Sequence, residues 1–376
     1  MPRRRFRFRF LLAVLLLALP LLGLIVAPSS AGVSRDEART LAPAPGWPAG
    51  WRDLPRFLNR LDLYLRDHFW LRPALIHGHA LLANALLRNG DELVFIGAHG
   101  HFFLRGEDAI AQSAGRMMRP SWITATADML AEMRAELAAH GARLLVAVPP
   151  NAATIYPEDL PKWARDDGRP TEYGLLYAAL AVRGVATLDL RPVLRAAKAQ
   201  GRVYLQHDTH WSPRGALAGY DAIVAAAGLP DWRLAPEATL SPPVHLVGGD
   251  LARMLGLPHD VADAVPMLAL PPGHETPLSD EKGTASFEET RDPAGRPESG
   301  PLIVVIGDSF TDYFGRLVNA RRARFVWMHH HYCRFDWTLL RALQPAQVWY
   351  LPTERQMLCY PGYAPSGLGA TSSAAR

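Results

Sequence analysis

The feature that most constrains the fold is an uninterrupted apolar run at residues 302–306, followed directly by Gly307-Asp308-Ser309-Phe310. A short apolar run that stops at a turn is typical of a strand buried on both faces of a sheet. Comparable runs alternate with segments of helical spacing, and they occupy residues 144–148, 186–190, 203–205, 324–328 and 347–351. This alternation predicts an α/β fold with a mostly parallel central sheet covered by helices on both faces.

Helices are expected between these runs, at about residues 121–140 and 172–182 and from Pro213 to about residue 228. Ser212 is predicted to cap the last of them, because serine before a proline is a favoured helix start. Upstream, helical spacing at 51–89 precedes a hairpin pattern, with strands expected at 93–96 and 101–104. Residues 262–300 are rich in proline, glycine and acids, and we expect them to form a long surface loop.

The amino terminus predicts export. Five arginines lie among the first nine residues, and residues 10–27 then contain no charged side chain. A basic flank, an apolar stretch and small residues at 29–31 are typical of a secretory signal, so we expect a periplasmic protein. Whether this segment is cleaved or retained in the inner membrane is left open. The predicted organisation is a signal peptide or membrane anchor (1–31), a linker (32–50), one catalytic domain (51–363) with a helical and hairpin segment (51–118) and a loop insertion (262–300), and a disordered tail (364–376).

The charge pattern argues against nucleic-acid binding. The formal net charge is +4, and the five amino-terminal arginines outweigh it, so the rest of the chain lacks a basic excess. Two cysteines, Cys333 and Cys359, could pair in an oxidising compartment. No Cys-x-x-Cys spacing of a zinc site is present, and we expect no metal or other cofactor.

Ser309 is the candidate nucleophile. It follows a predicted buried strand, so its hydroxyl is expected at the carboxyl edge of the sheet, where open α/β folds bind ligands. A helix beginning at this turn would offer backbone N–H groups to a developing oxyanion. The alternative role for Ser309 is a simple helix cap.

The stretch Gln206-His207-Asp208-Thr209-His210-Trp211 supplies a candidate base. Asp208 and His210 are two residues apart, which lets the carboxylate accept the imidazole Nδ1–H while Nε2 faces a serine. The motif lies between a predicted strand and a predicted helix, so its loop should open at the same sheet edge as Ser309. We therefore predict a Ser309–His210–Asp208 triad. His207 is the competing base, and a plain loop hydrogen bond is the alternative role of Asp208.

Together these motifs resemble the SGNH hydrolase superfamily, and within it the AlgJ/AlgX-type alginate O-acetyltransferase branch. The order of motifs, Asp-x-His before Ser, is the reverse of ordinary SGNH enzymes and matches that branch. The stretches that carry the resemblance span about residues 50–355, and they include Asp67-His68-Phe69, Phe95-Ile96-Gly97, Val148-Pro149-Pro150-Asn151, Tyr156-Pro157-Glu158, Asp208-Thr209-His210-Trp211, Gly249-Asp250-Leu251-Ala252 and Gly307-Asp308-Ser309-Phe310. The resemblance implies a three-layer SGNH hydrolase-like fold with Ser309 as nucleophile, His210 as base and Asp208 as the orienting carboxylate. No AlgX-type carbohydrate-binding module is recognised, which favours the AlgJ-like architecture.

Four further residues are weaker candidates for contacts with the oxyanion or the substrate. Asn151 follows a predicted strand and could serve the oxyanion or cap its loop. Tyr332 and Arg334 lie beyond the predicted strand 324–328 and could contact a sugar, although an ion pair is equally open for Arg334. Trp211 could stack on a sugar ring, but packing beneath its loop is favoured. The histidines at 329–331 should point to alternate sides, which argues against one shared metal ion.

These features lead to the hypothesis of a periplasmic O-acetyltransferase that acetylates an exopolysaccharide, alginate-like or cellulose-like, through an acetyl-serine. The resemblance implies a polysaccharide acceptor and a membrane-bound O-acyltransferase as donor partner at the inner membrane. Two alternatives stay open. One is a carbohydrate acetyl-esterase with the same triad, and the other is a non-catalytic assembly factor for polysaccharide secretion.

Overall fold

The computed structural model describes residues 33–34, 39–69, 71–87, 90–271, 274–277, 287–291, 294, 298–363, 365 and 367–368. The predicted signal or anchor (1–31) lies outside these residues, as does the predicted tail (364–376) except for residues 365, 367 and 368. Within the described part, no helix is long and apolar enough to cross a membrane. The chain divides into two compact units, one formed by Met1–Asp91 with Ala252–Val261 and the other by Glu92–Leu251 with Ala262–Arg376.

The described residues of the first unit include the helices α1 (Leu54–Asp67) and α2 (Arg72–Leu87). The sequence pattern predicted helical structure throughout 51–89, and the structure interrupts it after α1, where the His68 N–H donates to the Tyr64 carbonyl. Two short strands precede the helices, β1 (Val33–Ser34) and β2 (Arg39–Thr40), and they pair antiparallel within the predicted linker.

The second unit is built on a six-stranded sheet. The described strands of this unit are β3 (Val94–Ile96), β4 (Phe102–Leu104), β5 (Arg143–Val146), β6 (Val244–Val247), β7 (Ala262–Val265), β8 (His274–Pro277), β9 (Phe287–Arg291), β10 (Leu302–Gly307), β11 (Arg324–His329) and β12 (Gln347–Leu351). The sheet order is β5-β12-β10-β11-β9-β8, in which the first four strands are parallel and the last two pair antiparallel. The strand pairs β3–β4 and β6–β7 stand apart as two-stranded sheets. The predicted hairpin and the mostly parallel sheet are confirmed.

The helices after residue 92 are α3 (Ala109–Ser113), α4 (Pro120–Ala139), α5 (Ala152–Ile155), α6 (Glu172–Val182), α7 (Leu190–Ala197), α8 (Pro213–Ala226), α9 (Pro236–Thr239), α10 (Asp250–Met254), α11 (Phe314–Asn319) and α12 (Trp337–Leu343). The predicted start of α8 is confirmed, because the Ser212 hydroxyl accepts the Gly215 N–H at 3.2 Å and Pro213 is the first helical residue.

The central strands separate two apolar cores. Along β10, Ile303 and Val305 face a core shared with α8 and α11, whereas Val304 and Ile306 face a core shared with α4, α6 and α12. This alternation with a period of two is what a strand buried on both faces requires. The predicted α/β class with three layers is therefore confirmed.

Two predicted strands are wrong. At 186–190 only a single bridge forms, from Thr187 to Val146, because Asp189 caps α7 and turns the chain into a helix. At 203–205 the pairing is also a single bridge, between Tyr204 and Trp211, so this stretch is no strand of the central sheet.

The surface loop predicted at 262–300 is a further correction, because it contains β7, β8 and β9. The last two extend the sheet beyond β11. β8 is the edge strand and β9 lies beside it, and neither has the continuous apolar run by which a buried strand is predicted from sequence. Where β9 meets β11, the buried carboxylate of Glu289 pairs with the Arg324 guanidinium at 2.9 Å.

Candidate active site

The serine turn follows the carboxyl end of β10. Ser309 is exposed, whereas its neighbours Asp308 and Phe310 are buried. The Asp308 carboxylate accepts the Phe310 N–H at 3.0 Å, and its other oxygen accepts the N–H and hydroxyl of Thr353 at 2.8 and 2.7 Å. A Cβ on Gly307 would lie 2.7 Å from the Thr311 hydroxyl, so the turn requires glycine there. These contacts fix the turn and leave the Ser309 hydroxyl at the surface.

The Asp-x-His loop is closed by a short antiparallel pairing. The Leu205 N–H donates to the His210 carbonyl at 3.1 Å, and the Ser212 N–H donates to the Val203 carbonyl at 2.9 Å. Although the predicted strand is absent, this pairing and α8 hold the loop in its place. The loop therefore reaches Ser309 by a different local structure from the one predicted.

The structure brings Ser309, His210 and Asp208 into direct contact. His210 Nε2 lies 2.7 Å from Ser309 Oγ, and His210 Nδ1 lies 2.6 Å from Asp208 Oδ1. Asp208 Oδ1 also accepts the backbone N–H of His210 at 3.0 Å. With Nδ1 carrying the proton toward the carboxylate, Nε2 is free to accept the serine proton.

The electrostatics of the pair favour an ionised aspartate. Burial alone would raise the pKa of Asp208, but the hydrogen bond and charge of His210 outweigh it and lower this pKa to about 2. Burial likewise opposes charge on His210, yet the hydrogen bond and negative charge of Asp208 raise the His210 pKa above its ordinary value. The site thus favours an imidazolium beside a carboxylate, which is the charge state formed when His210 takes a proton.

A second carboxylate, that of Asp250, lies beside the triad. Its backbone N–H donates to Asp208 Oδ2 at 2.8 Å, and its Oδ2 lies 3.7 Å from His210 Nδ1. Burial and the neighbouring charge of Asp208 raise the pKa of Asp250. The three side chains offer ligand atoms within 4.8 Å of one another, although the 2.6 Å contact between Asp208 and His210 engages two of the atoms that a metal ion would use.

A family model described as "SGNH hydrolase-like domain, acetyltransferase AlgX" matches residues 94–325, which is more than half of the chain and contains the whole triad. The chain belongs to this family. The match runs from β3 to the first residues of β11 and includes both loops that carry the site, whereas β12 lies beyond it.

The AlgX-family domain is also similar to proteins named "Probable alginate O-acetylase AlgJ". It is 33% identical to the one from Pseudomonas aeruginosa over 137 residues, which cover 36% of this chain and 34% of the relative. It is 34% identical to the one from Pseudomonas syringae pv. tomato over 99 residues, covering 25% of this chain and 24% of the relative. The chain thus spans about a third or less of the length of these curated relatives. The solved O-acetyltransferase domain of Pseudomonas putida AlgJ superposes with a TM-score of 0.46 at 19% identity, covering 70% of this chain and 91% of that one.

Trp211 packs beneath the site of the AlgX-family domain. Its side chain is fully buried, its indole N–H donates to the Phe310 carbonyl at 2.7 Å, and its ring stacks on Phe314. Trp211 therefore joins the Asp-x-His loop to the serine turn. These contacts agree with packing, the favoured alternative, and they leave no exposed ring face for a sugar.

His207, the competing base, is directed to other partners. It is buried, its Nδ1 lies 3.3 Å from Asp263 Oδ1, and its ring meets Phe102 edge-on. The structure places His210, and not His207, against Ser309.

The expected oxyanion contacts take a different form. Ser309 begins a single 3₁₀ turn instead of a helix, and the N–H groups of Phe310 and Thr311 donate to the side chain and carbonyl of Asp308. Asn151 is buried, and its amide nitrogen lies 3.3 Å from the Ala109 carbonyl and 3.2 Å from the Ser113 hydroxyl. Its contacts tie α5 to α3, which agrees with the structural role left open for it.

Tyr332 and Arg334 follow β11 as expected but face different surroundings. The Tyr332 hydroxyl is exposed and lies 3.5 Å from Gln356 Nε2, while the Arg334 guanidinium covers the Tyr363 ring at 4.0 Å. The predicted alternation at 329–331 is confirmed, because the rings of His329 and His331 lie 3.9 Å apart whereas His330 is buried against Tyr350.

Cys333 and Cys359 form a disulfide, so the pairing left open by the sequence is present.

Arg355 lies near the site although no motif or spacing in the sequence points to it. Its guanidinium lies 5.2 Å above the Phe310 ring and its Nε lies 3.2 Å from Glu107, so a cation lies beside the serine turn. Its positive charge opposes protonation of His210.

Proposed function

We propose that this chain is an exopolysaccharide O-acetyltransferase that works through an acetyl-Ser309 intermediate. The observation that carries the proposal is the continuous hydrogen-bonded relay from Asp208 through His210 to an exposed serine, with contacts of 2.6 and 2.7 Å. Membership of the AlgX acetyltransferase family supports the acyl chemistry.

The first half-reaction loads the serine. His210 Nε2 takes the proton from Ser309 Oγ as this oxygen attacks the acetyl carbonyl, and the imidazolium then gives the proton to the leaving group. The ester bond of the donor breaks as the ester bond to Ser309 forms. Asp208 stabilises the charge on His210 throughout.

The second half-reaction moves the acetyl group to the polymer. His210 removes the proton of a sugar hydroxyl, whose oxygen attacks the acetyl-serine, and the proton returns to Ser309 Oγ as the acyl bond breaks. Water in place of the sugar would give an esterase with the same triad. The preference for transfer and for an alginate-like acceptor is supported by similarity to the proteins named alginate O-acetylase, and a cellulose-like acceptor is the alternative polymer.

The proposed location is the periplasm, supported by the basic and apolar amino-terminal pattern. A periplasmic transferase needs an acetyl group delivered across the inner membrane. We therefore propose a membrane-bound O-acyltransferase as the donor partner.

The test is incubation of the purified chain with p-nitrophenyl acetate, with and without a mannuronate oligosaccharide. We expect one acetyl group on the peptide containing Ser309 by mass spectrometry, and acetylated oligosaccharide when the acceptor is present. Ser309→Ala should lose both signals, while Ser241→Ala, at a serine whose contacts are with Pro242 and Met267, should keep both.

The outcomes separate the alternatives. Acetate release that is fast and indifferent to the acceptor would identify an esterase. Wild-type polymer acetylation in cells that carry Ser309→Ala would instead favour the assembly factor, because the triad would then be dispensable.

A further inference from the structure

We propose that Asp250 is a positioning residue for the triad, a second carboxylate that holds the Asp208–His210 pair and shares the charge of the imidazolium. This inference rests on the proposed function. Asp250 lies far from Asp208 in sequence, yet its backbone N–H donates to Asp208 Oδ2 at 2.8 Å and its own Oδ2 lies 3.7 Å from His210 Nδ1. Asp208 is thus oriented by both of its oxygens, one on His210 and one on Asp250.

The Asp250 carboxylate also accepts two hydrogen bonds from Thr209, the residue between Asp208 and His210. Asp250 Oδ1 accepts the Thr209 N–H at 2.7 Å, and Oδ2 accepts the Thr209 hydroxyl in a short hydrogen bond. Thr209 itself is buried. Any displacement of Asp250 would therefore move the backbone that sets the angle between Asp208 and His210.

Gly249, the residue before Asp250, allows the backbone to lie close to the Asp-x-His loop. Gly249 has φ of +143°, a region that favours glycine, and a Cβ there would lie 2.2 Å from the His207 carbonyl oxygen. Only glycine lets the Asp250 segment lie this close to the Asp-x-His loop. The pair Gly249-Asp250 is therefore matched in both backbone and side chain to the loop it contacts.

The charges that face His210 come from three elements. Asp208 belongs to its own loop, Asp250 to the start of α10, and Arg355 to the loop after β12. Tyr313, before α11, is a further titratable group near this set, and burial followed by the charge of Asp208 raises the Tyr313 pKa. Asp250 is the second negative charge in this set, and it favours the protonated imidazole that Arg355 disfavours.

A purely structural role makes a different prediction. Asp250 Oδ1 also accepts the Leu251 N–H at 2.6 Å, so it could do no more than shape the start of α10. In that case its neutral replacement would lower activity without moving the pH dependence of the reaction. The acidic limb of the pH profile therefore separates the two roles, because that limb reports the protonation of His210.

The experiment compares Asp250→Asn with Asp263→Asn in the full chain, by kcat/KM for p-nitrophenyl acetate across pH. Asp263 is the matched control, since its buried carboxylate accepts the N–H groups of Gln206 and His207 in the same loop, at 3.0 and 3.3 Å, but faces His207. We expect Asp250→Asn to lower kcat/KM about tenfold and to move the acidic limb to lower pH. Asp250→Glu, which keeps the charge, should restore the limb toward the wild-type position.

An acidic limb that is the same in Asp250→Asn, Asp263→Asn and the wild type would overturn the proposal. Circular dichroism checks folding, and Asp250→Ser, which keeps an oxygen to cap α10, replaces Asp250→Asn if that variant unfolds. Loss of the fold in both variants would establish a structural role and overturn the proposal as well. Ser309→Ala separates a failure of the proposed function from a failure of the proposed role of Asp250. If it stays active, the proposed function fails, whereas an inactive Ser309→Ala with an unmoved limb refutes only the role of Asp250.

Discussion

Replacement of Asp208 by asparagine tests the relay with almost no change of shape. Asp208 Oδ1 accepts the ring and backbone N–H groups of His210 at 2.6 and 3.0 Å, and Oδ2 accepts the Asp250 N–H at 2.8 Å. All three partners are donors. An amide has one accepting oxygen and one donating nitrogen, so in either orientation the new side chain would set a donor against a donor.

Both orientations should impair the proposed catalysis. If the amide nitrogen faces the ring, Nδ1 must accept a hydrogen bond, which moves the imidazole proton to Nε2, so that Nε2 can no longer accept the proton of Ser309. If the amide oxygen faces the ring, the nitrogen opposes the Asp250 N–H and the imidazolium loses its counter-charge. We expect kcat/KM to fall by about 10³ to 10⁴, which corresponds to ~4–5.5 kcal/mol of transition-state stabilisation.

The expected loss of stability is smaller. The Asp208 pKa is lowered from 3.8 to about 2, a difference that corresponds to about 2 kcal/mol of native-state stability. Because the pKa is depressed in the folded state, this contribution is fully present above the ordinary pKa and is lost as the pH falls through about 2. At neutral pH Asp208→Asn should therefore remain folded while losing most of its activity.

The assay is p-nitrophenyl acetate turnover at neutral pH, paired with chemical denaturation of the same preparations. Asp189→Asn is the matched control, because Asp189 also accepts a backbone N–H at a helix start, that of Arg191 at 2.9 Å, but belongs to α7. It should retain activity. A folded Asp208→Asn that keeps more than about a tenth of the wild-type kcat/KM would refute the reasoning.

Three further predictions concern buried groups of the fold. Trp211→Phe removes the hydrogen bond to Phe310, and we expect it to lower the free energy of unfolding by about 1–3 kcal/mol in urea denaturation. Burial raises the pKa of Glu354 to about 6, so native-state stability should fall as the pH rises from 4.5 through this value; Glu354→Gln should flatten that dependence in thermal melts. Replacing Cys333 and Cys359 together by serine opens a loop with a sequence separation of 26 and should lower the free energy of unfolding by about 3.5 kcal/mol; a reductant should destabilise the wild type and leave this variant unchanged.

The sequence predicted the inner part of the fold best, for a physical reason. A strand buried on both faces has a nearly continuous apolar sequence. This holds for β10 and, after Gln347, for β12, and both strands lie within a residue of the bounds that the sequence predicts. Helix α6 was located without error. The sequence predicts a loop where β8 and β9 form, because the edge strand β8 and its neighbour β9 are both polar and lack such an apolar run.

The site was predictable as far as its geometry is local. Asp208 and His210 lie in one loop, and Ser309 lies directly after a recognisable strand, so residue type and spacing were sufficient to select them. Asp250 and Arg355 reach the site only through tertiary folding, and no spacing in the sequence links them to it.

The surroundings of Tyr332 and Arg334 were unpredictable for another reason. His331, Tyr332 and Cys333 have φ of +44°, +53° and +71°, a left-handed conformation that non-glycine residues rarely adopt. The sequence contains no glycine there that would indicate a left-handed conformation, so the direction of the chain after β11 could not be predicted.

The contacts that fix the geometry of the triad are mostly separate from the triad itself. The serine turn is held by Asp308 and Thr353, and the indole of Trp211 links it to the Asp-x-His loop through the Phe310 carbonyl. These groups are buried, whereas Ser309 is exposed. Since the scaffold does not depend on the serine hydroxyl, loss of activity in Ser309→Ala reports chemistry and not folding, and the reversed order of the two motifs along the chain has no consequence for the relay that they form.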